Sequence, residues 1–300
     1  MSSGWPNLSD LITDKGANAA VGMVGAPLDV GSVTPGRCDL APALLRATLR
    51  RIGRYDVETG RELQTQIADH GDVPIAGLSI EEATGPIRDA CMASIRRHEL
   101  TLLVGGNNAV TRPGAHGLAD GTRLALDKVG LITLDAHFDM RDTSAGLGNG
   151  NPVRALREDG LPGANIAQIG LAPFANSAEM HRDANEGGHL VVTIAEVRAE
   201  GIDRAVGRAL DHLRHCEAIA VDCDIDVIDR GQFPGAPGAR PGGMAAHDFF
   251  IAVRTLAAEP RVKLIDLTEW DPPLDSTDLS ALTAARWVAE CLAGFEARPD

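Results

Sequence analysis

Short apolar runs alternate along this chain with longer stretches whose apolar residues recur at helical spacing. The short runs, at residues 19–25, 63–68, 100–104, 129–134, 165–170, 189–194, 217–221 and 262–267, read as buried parallel strands. A strand covered on both faces shows continuous rather than alternating hydrophobicity. Helical periodicity predicts helices at 40–52 (apolar face Leu44, Leu45 and Leu49), 202–213 (Val206, Leu210 and Leu213), 245–257 and 279–295. Another, running to about residue 99, is announced by the capping box Ser79-Ile80-Glu81-Glu82, where Glu follows Ser by three. Pro86 marks its first turn or kinks it. Loops rich in Gly, Pro or Asn fall at 27–36, 143–151 and 231–243. Strand–helix alternation predicts one parallel sheet with helices on both faces, in a single domain over residues 1–300. Eight strands fit an open three-layer α/β/α sheet or a (β/α)₈ barrel, and pattern alone leaves that choice open.

Composition narrows the function more than the fold. Lys and Arg number 28 and Asp and Glu 42, so the formal charge is −14, and aromatic residues make up 3%. An acidic chain repels phosphate backbones, and few aromatics means few base-stacking platforms, so nucleic acid is not an expected partner. No apolar run approaches a membrane span. The opening Met1-Ser2-Ser3-Gly4-Trp5-Pro6 has no basic or apolar leader pattern, so a cytoplasmic location is expected. The five cysteines are widely spaced without a CxxC, which fits reduced thiols.

Two acidic motifs follow apolar runs. Asp135-Ala136-His137-Phe138-Asp139 ends the run at 129–134, and Asp222-Cys223-Asp224-Ile225-Asp226-Val227-Ile228-Asp229 ends the run at 217–221. Ligands of parallel sheets gather at such carboxyl ends. Alternation would put Asp135, His137 and Asp139 on one side, and Asp224 and Asp226 likewise, with Cys223 turned away. Clustered carboxylates repel unless they hold something positive. One imidazole among carboxylates suits Mn, Fe, Co, Ni or Zn better than Mg or Ca. Asp222 and Asp229 read as supporting residues, Asp229 as a cap on the next loop.

Together with Gly105-Gly106-Asn107-Asn108, Thr268-Glu269-Trp270-Asp271-Pro272 and the loop Pro237-Gly238-Ala239-Arg240-Pro241-Gly242-Gly243, these motifs resemble the ureohydrolase superfamily of arginases, agmatinases and formimidoylglutamases. Their order matches from about Val21 to the last predicted helix. The resemblance implies a three-layer α/β/α fold on an eight-stranded sheet. It also implies two Mn²⁺ ions and hydrolysis of a C–N bond in an amidine or guanidine. By resemblance, Asp135 and Asp224 would bridge the ions, Asp139 would complete one site, and His137 with Asp226 the other. Asp139 and Glu269 would be the catalytic carboxylates, Glu269 accepting hydrogen bonds from the cationic amidinium. A homo-oligomer, trimer or hexamer, is likewise implied.

One position departs from the pattern. The family's GG turn ends in a metal-binding His, and here it ends in Asn108. An amide oxygen is a weaker ligand for a transition metal than imidazole. The outcomes are ligation through the amide, a single metal, or lost catalysis with a structural or regulatory role. The retained acids favour a working site. For the substrate, Gly148-Asn149-Gly150-Asn151-Pro152-Val153-Arg154 lacks the shuttle His of arginases and is similar to the formimidoylglutamase loop, as is the segment around Asn176-Ser177. N-formimidoyl-L-glutamate is therefore the expected substrate, with arginase- or agmatinase-like activity the alternative. Asn149, Asn151, Arg154 and Asn176 are the candidate substrate-binding residues, Arg154 because guanidinium binds carboxylate bidentately. Arg112 reads as structural. Among the histidines left without a role, His70, His116 and His247, His116 is a candidate to replace the missing ligand.

Overall fold

The structure is a computed structural model that describes residues 5–299, so the opening at 1–4 lies outside the described residues. Its strands are β1 (Ile12–Asp14), β2 (Val21–Ala26), the short pair β3 (Tyr55–Asp56) and β4 (Arg61–Glu62), β5 (Ile67–Asp72) and β6 (Leu100–Gly105). They continue with β7 (Val129–Leu134), β8 (Ile166–Leu171), β9 (Leu190–Thr193), β10 (Ala218–Asp224) and β11 (Val262–Thr268). The helices are α1 (Ala41–Thr48), α2 (Ile80–Ile95), α3 (Thr111–Thr122), α4 (Pro152–Glu158), α5 (Ala178–Gly187), α6 (Ile194–Glu200), α7 (Ile202–His212), α8 (Ala246–Ala258) and α9 (Leu279–Phe295).

Nine strands form one open sheet in the order β1-β5-β2-β6-β11-β10-β7-β8-β9, and every pairing in it is parallel. The barrel alternative is thereby excluded. The ninth strand is the three-residue edge strand β1, too short to register as a hydrophobic run. Strand alternation sends side chains to two cores. One face packs on α1, α6, α7, α8 and α9, through residues such as Leu45, Val206, Phe249 and Trp287. The other packs on α2, α3, α4 and α5, through Ile87, Leu118, Val153 and Ala184. This is the expected three-layer α/β/α arrangement.

Several boundaries differ from the expected ones. The strand expected at 63–68 is Ile67–Asp72, and its polar end is held by Arg46, whose guanidinium binds Asp69 at 2.7 and 2.9 Å and Asp72 at 2.5 Å. The capping box forms as read: Glu82 N–H donates to Ser79 Oγ at 3.2 Å and Ser79 N–H to Glu82 Oε2 at 2.9 Å. The helix then runs through Pro86 and stops at Ile95. All five cysteines are free and buried. Among the described residues no helix is long and apolar enough to cross a membrane.

The topology places the site. β7 leads outward through β8 and β9, then the chain returns to lay β10 and β11 between β7 and β6. The carboxyl ends of β6, β11, β10 and β7 therefore lie side by side and carry Asn108, Glu269, Asp224 and Asp135 in turn.

Candidate metal centre

β10 shows how the fold aims its carboxylates. Ile219, Val221 and Cys223 enter one core, while Ala218 and Ala220 enter the other. Asp222 and Asp224 continue on the alanine side, so Cys223 turns away from them, as alternation requires. Asp224 Oδ1 accepts from Asp226 N–H at 3.0 Å, which bends the chain and brings Asp226 back toward the same point. Asp229 caps the loop beyond, accepting from Gly231 N–H at 2.8 Å and Gly242 N–H at 2.6 Å.

At the end of β7 the ladder continues one residue, Asp135 N–H donating to Ile169 C=O at 3.0 Å. The loop is then pinned from β8 and beyond. Gln168 Nε2 donates to Phe138 C=O at 3.0 Å, and Asn176 Oδ1 accepts from Phe138 N–H at 2.8 Å. Asp139 takes a left-handed φ of 52°, and Glu269 one of 59°. Strained non-glycine residues of this kind persist where the surroundings over-determine them, often at functional sites.

Five side chains converge. Ligand atoms of Asp135, His137 and Asp226 lie within 4.8 Å of one another, and so do those of Asp135, Asp139 and Asp224. Asp135 belongs to both groups. His137 Nδ1 lies 3.0 Å from Asp226 Oδ2 and 3.5 Å from Asp135 Oδ1. The four aspartates are buried, Asp135 completely, and Asp135 Oδ2 has no hydrogen-bond partner.

Burial pushes the Asp135 carboxyl up to about 7, and it raises Asp139 and Asp224 well above the usual range, with neighbouring carboxylates adding to it. Burial opposes a charged His137, yet Asp226 and Asp135 push it to about 12. Asp226 feels the same burial but is lowered by His137. Four carboxylates and one imidazolium sum to −3 when all are ionised. Among the described residues no Arg or Lys is in ion-pair contact with these four aspartates. A neutral imidazole and two divalent cations would bring the cluster to zero, and the unpartnered Asp135 oxygen offers one of them a ligand. The donor set therefore fits the expected metal.

Asn108 is fully buried beside this cluster. Its Nδ2 donates to Asp139 Oδ2 at 2.5 Å, while Oδ1 accepts from Thr111 Oγ1 at 2.7 Å and Thr268 Oγ1 at 3.1 Å. Its oxygen thus accepts from two hydroxyls, and its amide nitrogen holds Asp139. Glu269 Oε1 accepts from Asn108 N–H at 2.7 Å and Asn149 Nδ2 at 2.8 Å. Burial pushes its carboxyl up to about 7.

A cavity of about 300 Å³ opens over these groups, bounded by His137, Asp139, Asp224, Asp226 and Glu269. That is the small end of the range for ligand pockets. Asn149 and Asn176 line it too. Both Asn176 groups are engaged by backbone, Nδ2 donating to Ala136 C=O at 2.9 Å. Asn151 lies outside the cavity lining and ties its own loop, accepting from Gly148 N–H at 2.8 Å and donating to Gly146 C=O at 3.0 Å. Arg154, expected to bind substrate, is directed elsewhere. On α4 it donates to Met140 C=O at 3.1 Å and to Asp183 of α5 at 2.9 Å. Arg112 is structural as read, binding Asp159 at 2.6 and 2.9 Å. His116 joins the same carboxylate at 2.8 Å, so it does not replace the missing ligand. Two further arginines, Arg141 and Arg240, line the cavity, and their positions in the sequence imply no role for them. Arg240 lies in the loop 231–243, and Arg141 follows Asp139 by two.

Known proteins provide four points of comparison. The sequence model of the arginase family matches residues 19–294. A formimidoylglutamase of Halalkalibacterium halodurans is 30% identical over 280 residues, which cover 91% of this chain and 86% of that protein. The crystal structure of Bacillus subtilis formimidoylglutamase superposes with a TM-score of 0.93 at 26% identity, covering 100% of this chain and 95% of that one. Trypanosoma cruzi formiminoglutamase with Mn²⁺ superposes at 0.89 with 22% identity, covering 98% and 99%.

Proposed function

The chain belongs to the arginase family, and we infer that it is a metal-dependent hydrolase of N-formimidoyl-L-glutamate, releasing L-glutamate and formamide. The observation that carries the reading is the pair of potential ligand groups that share the buried Asp135 and whose other members line one cavity with Glu269. The names of the relatives support the choice of substrate, and the Mn²⁺ of the T. cruzi structure supports the choice of metal.

In this reading Asp135, His137, Asp139, Asp224 and Asp226 would hold two Mn²⁺ ions, Asp135 and Asp224 serving both, His137 and Asp226 one, and Asp139 the other. Bound there, the cations would act as Lewis acids and lower the pKa of water to near neutrality. Glu269 accepts hydrogen bonds from the amidinium nitrogens and stabilises their positive charge. Asn108 and Asn149 fix Glu269 by occupying one of its oxygens, which leaves the other for substrate. Asp139 takes the proton released by the attacking water and passes it to the departing amine. Asn108, by donating to Asp139, orients that carboxylate. We read residues 1–300 as one domain that works in the cytoplasm and assembles as a trimer or hexamer.

Turnover of N-formimidoyl-L-glutamate, arginine and agmatine by the Mn²⁺-loaded protein tests the substrate. The expected result is release of formamide from the first alone. Efficient turnover of either guanidine with none of formimidoylglutamate would replace this reading with the arginase- or agmatinase-like one.

A further inference from the structure

The cavity holds acids for the amidine end of a substrate, and it also holds two guanidinium groups. Arg141 and Arg240 both line it. Arg141 N–H donates to Gly150 C=O at 3.0 Å, and the arginine's stem passes so closely that a Cβ on Gly150 would lie 2.7 Å from Arg141 Cδ. The side chain is thereby braced against the 143–151 loop. Arg240 Nη1 donates to the backbone carbonyls of Gly238 at 2.7 Å and Ala239 at 3.3 Å. Arg46, Arg112, Arg154, Arg254 and Arg261 all have carboxylate partners. Among the described residues Arg141 and Arg240 have none within ion-pair distance, although four acidic residues line the same cavity. A guanidinium carries five donors, so most of each fork is left for a ligand.

The loop bearing Arg240 is also set at a fixed distance from the chemistry. A Cβ on Gly238 would meet Asp226 Oδ2 at 1.9 Å and His137 Cε1 at 3.1 Å, so this loop lies directly against two of the candidate ligands. Arg141 is covalently two residues from Asp139. Each arginine is therefore tied to a different part of the acidic cluster. A ligand whose amidine sits over the acids and whose carboxylates reach the arginines matches this distribution of charge.

We propose that Arg141 and Arg240 set the specificity of the site, each binding one of the two carboxylates of a dicarboxylate amidine. The assignment rests on the reading of the site as a formimidoylglutamate hydrolase and adds the residues that recognise the glutamate part. A guanidine with a cationic tail, such as agmatine, would set a positive charge against both arginines and is disfavoured for that reason.

The test uses the Mn²⁺-loaded protein with the variants Arg141→Ala and Arg240→Ala. The substrates are N-formimidoyl-L-glutamate and N-formimidoyl-L-2-aminobutyrate, which lacks the side-chain carboxylate. Each substitution is expected to raise KM for the first substrate roughly tenfold to hundredfold while changing kcat much less. On the second substrate one of the two substitutions loses its effect, because its carboxylate is gone. Wild-type KM in both variants, or equal damage on both substrates, overturns the proposal. Calorimetric binding of L-glutamate to the same proteins separates the two readings. Glutamate carries both carboxylates and needs no turnover. Weaker glutamate binding in both variants supports the arginine pair even if formimidoylglutamate is not hydrolysed, and unchanged binding overturns it even if it is.

Discussion

Replacing Glu269 by Gln separates what this carboxylate does for the fold from what it does for the reaction. Glu269 is 5% exposed, and burial pushes its carboxyl from 4.5 up to about 7. The folded chain therefore holds this proton more tightly than the unfolded chain. Stability associated with the group is full below 4.5, falls as pH rises, and is lost by about 7. At roughly 1.4 kcal/mol per pH unit the penalty at pH 8 is on the order of 3 kcal/mol, an upper figure because neighbouring carboxylates relax with it. Gln avoids the penalty, and its amide oxygen can still accept from Asn108 N–H and Asn149 Nδ2. In urea denaturation of the metal-stripped protein, Glu269→Gln should be about 1–3 kcal/mol more stable at pH 8 and no more stable than wild type near pH 4.5. Activity should move the other way. The second oxygen becomes an N–H₂ facing a cationic amidinium, and kcat/KM should fall by about a hundredfold or more. A variant less stable than wild type at pH 8 would show that burial does not strain the Glu269 carboxylate, and one that keeps its activity would remove Glu269 from substrate binding.

Other expectations follow from the same geometry. Asn108→His should raise Mn²⁺ affinity about tenfold or more, read by metal titration, since imidazole is the better ligand beside Asp139; unchanged affinity would mean that position 108 does not face a metal. His137 is pushed to about 12 and Asp135 to about 7, so Mn²⁺ must displace protons. Affinity should climb with pH, more steeply below 7 than above it, and calorimetry in buffers of different ionisation enthalpy should show proton release at pH 7.5. A pH-independent affinity would contradict this. Arg154→Ala should leave KM for formimidoylglutamate within about twofold while costing about 1–2 kcal/mol of stability, because it removes the α4–α5 link to Asp183. A tenfold rise in KM would return Arg154 to the substrate.

The candidate ligands were legible because each group is local: a buried strand followed by residues at short, fixed spacing. Asp135, His137, Asp139, Asp224 and Asp226 are brought together as expected. What alternation could not supply is the turn at Asp139, whose positive φ takes it out of the strand pattern. The helix α3 is not evident from the sequence, because Gly114, Gly117 and Gly121 look like breakers. They are contact positions: a Cβ on Gly117 would meet Cys91 Cβ at 2.6 Å, and one on Gly121 would meet Ile95 Cβ at 2.9 Å, so they allow α3 to lie close on α2. The arginines show the other limit. Arg141 and Arg154 both border the same loop, and only side-chain direction, set by Asp183 and Met140 around Arg154, separates a wall of the cavity from a brace outside it.

A two-metal centre at the carboxyl ends of β7 and β10 is tested by anomalous scattering at the manganese edge from crystals grown with Mn²⁺. One peak is expected among Asp135, His137 and Asp226 and a second among Asp135, Asp139 and Asp224. Peaks elsewhere, or no peak at either position in protein saturated with Mn²⁺, would contradict it.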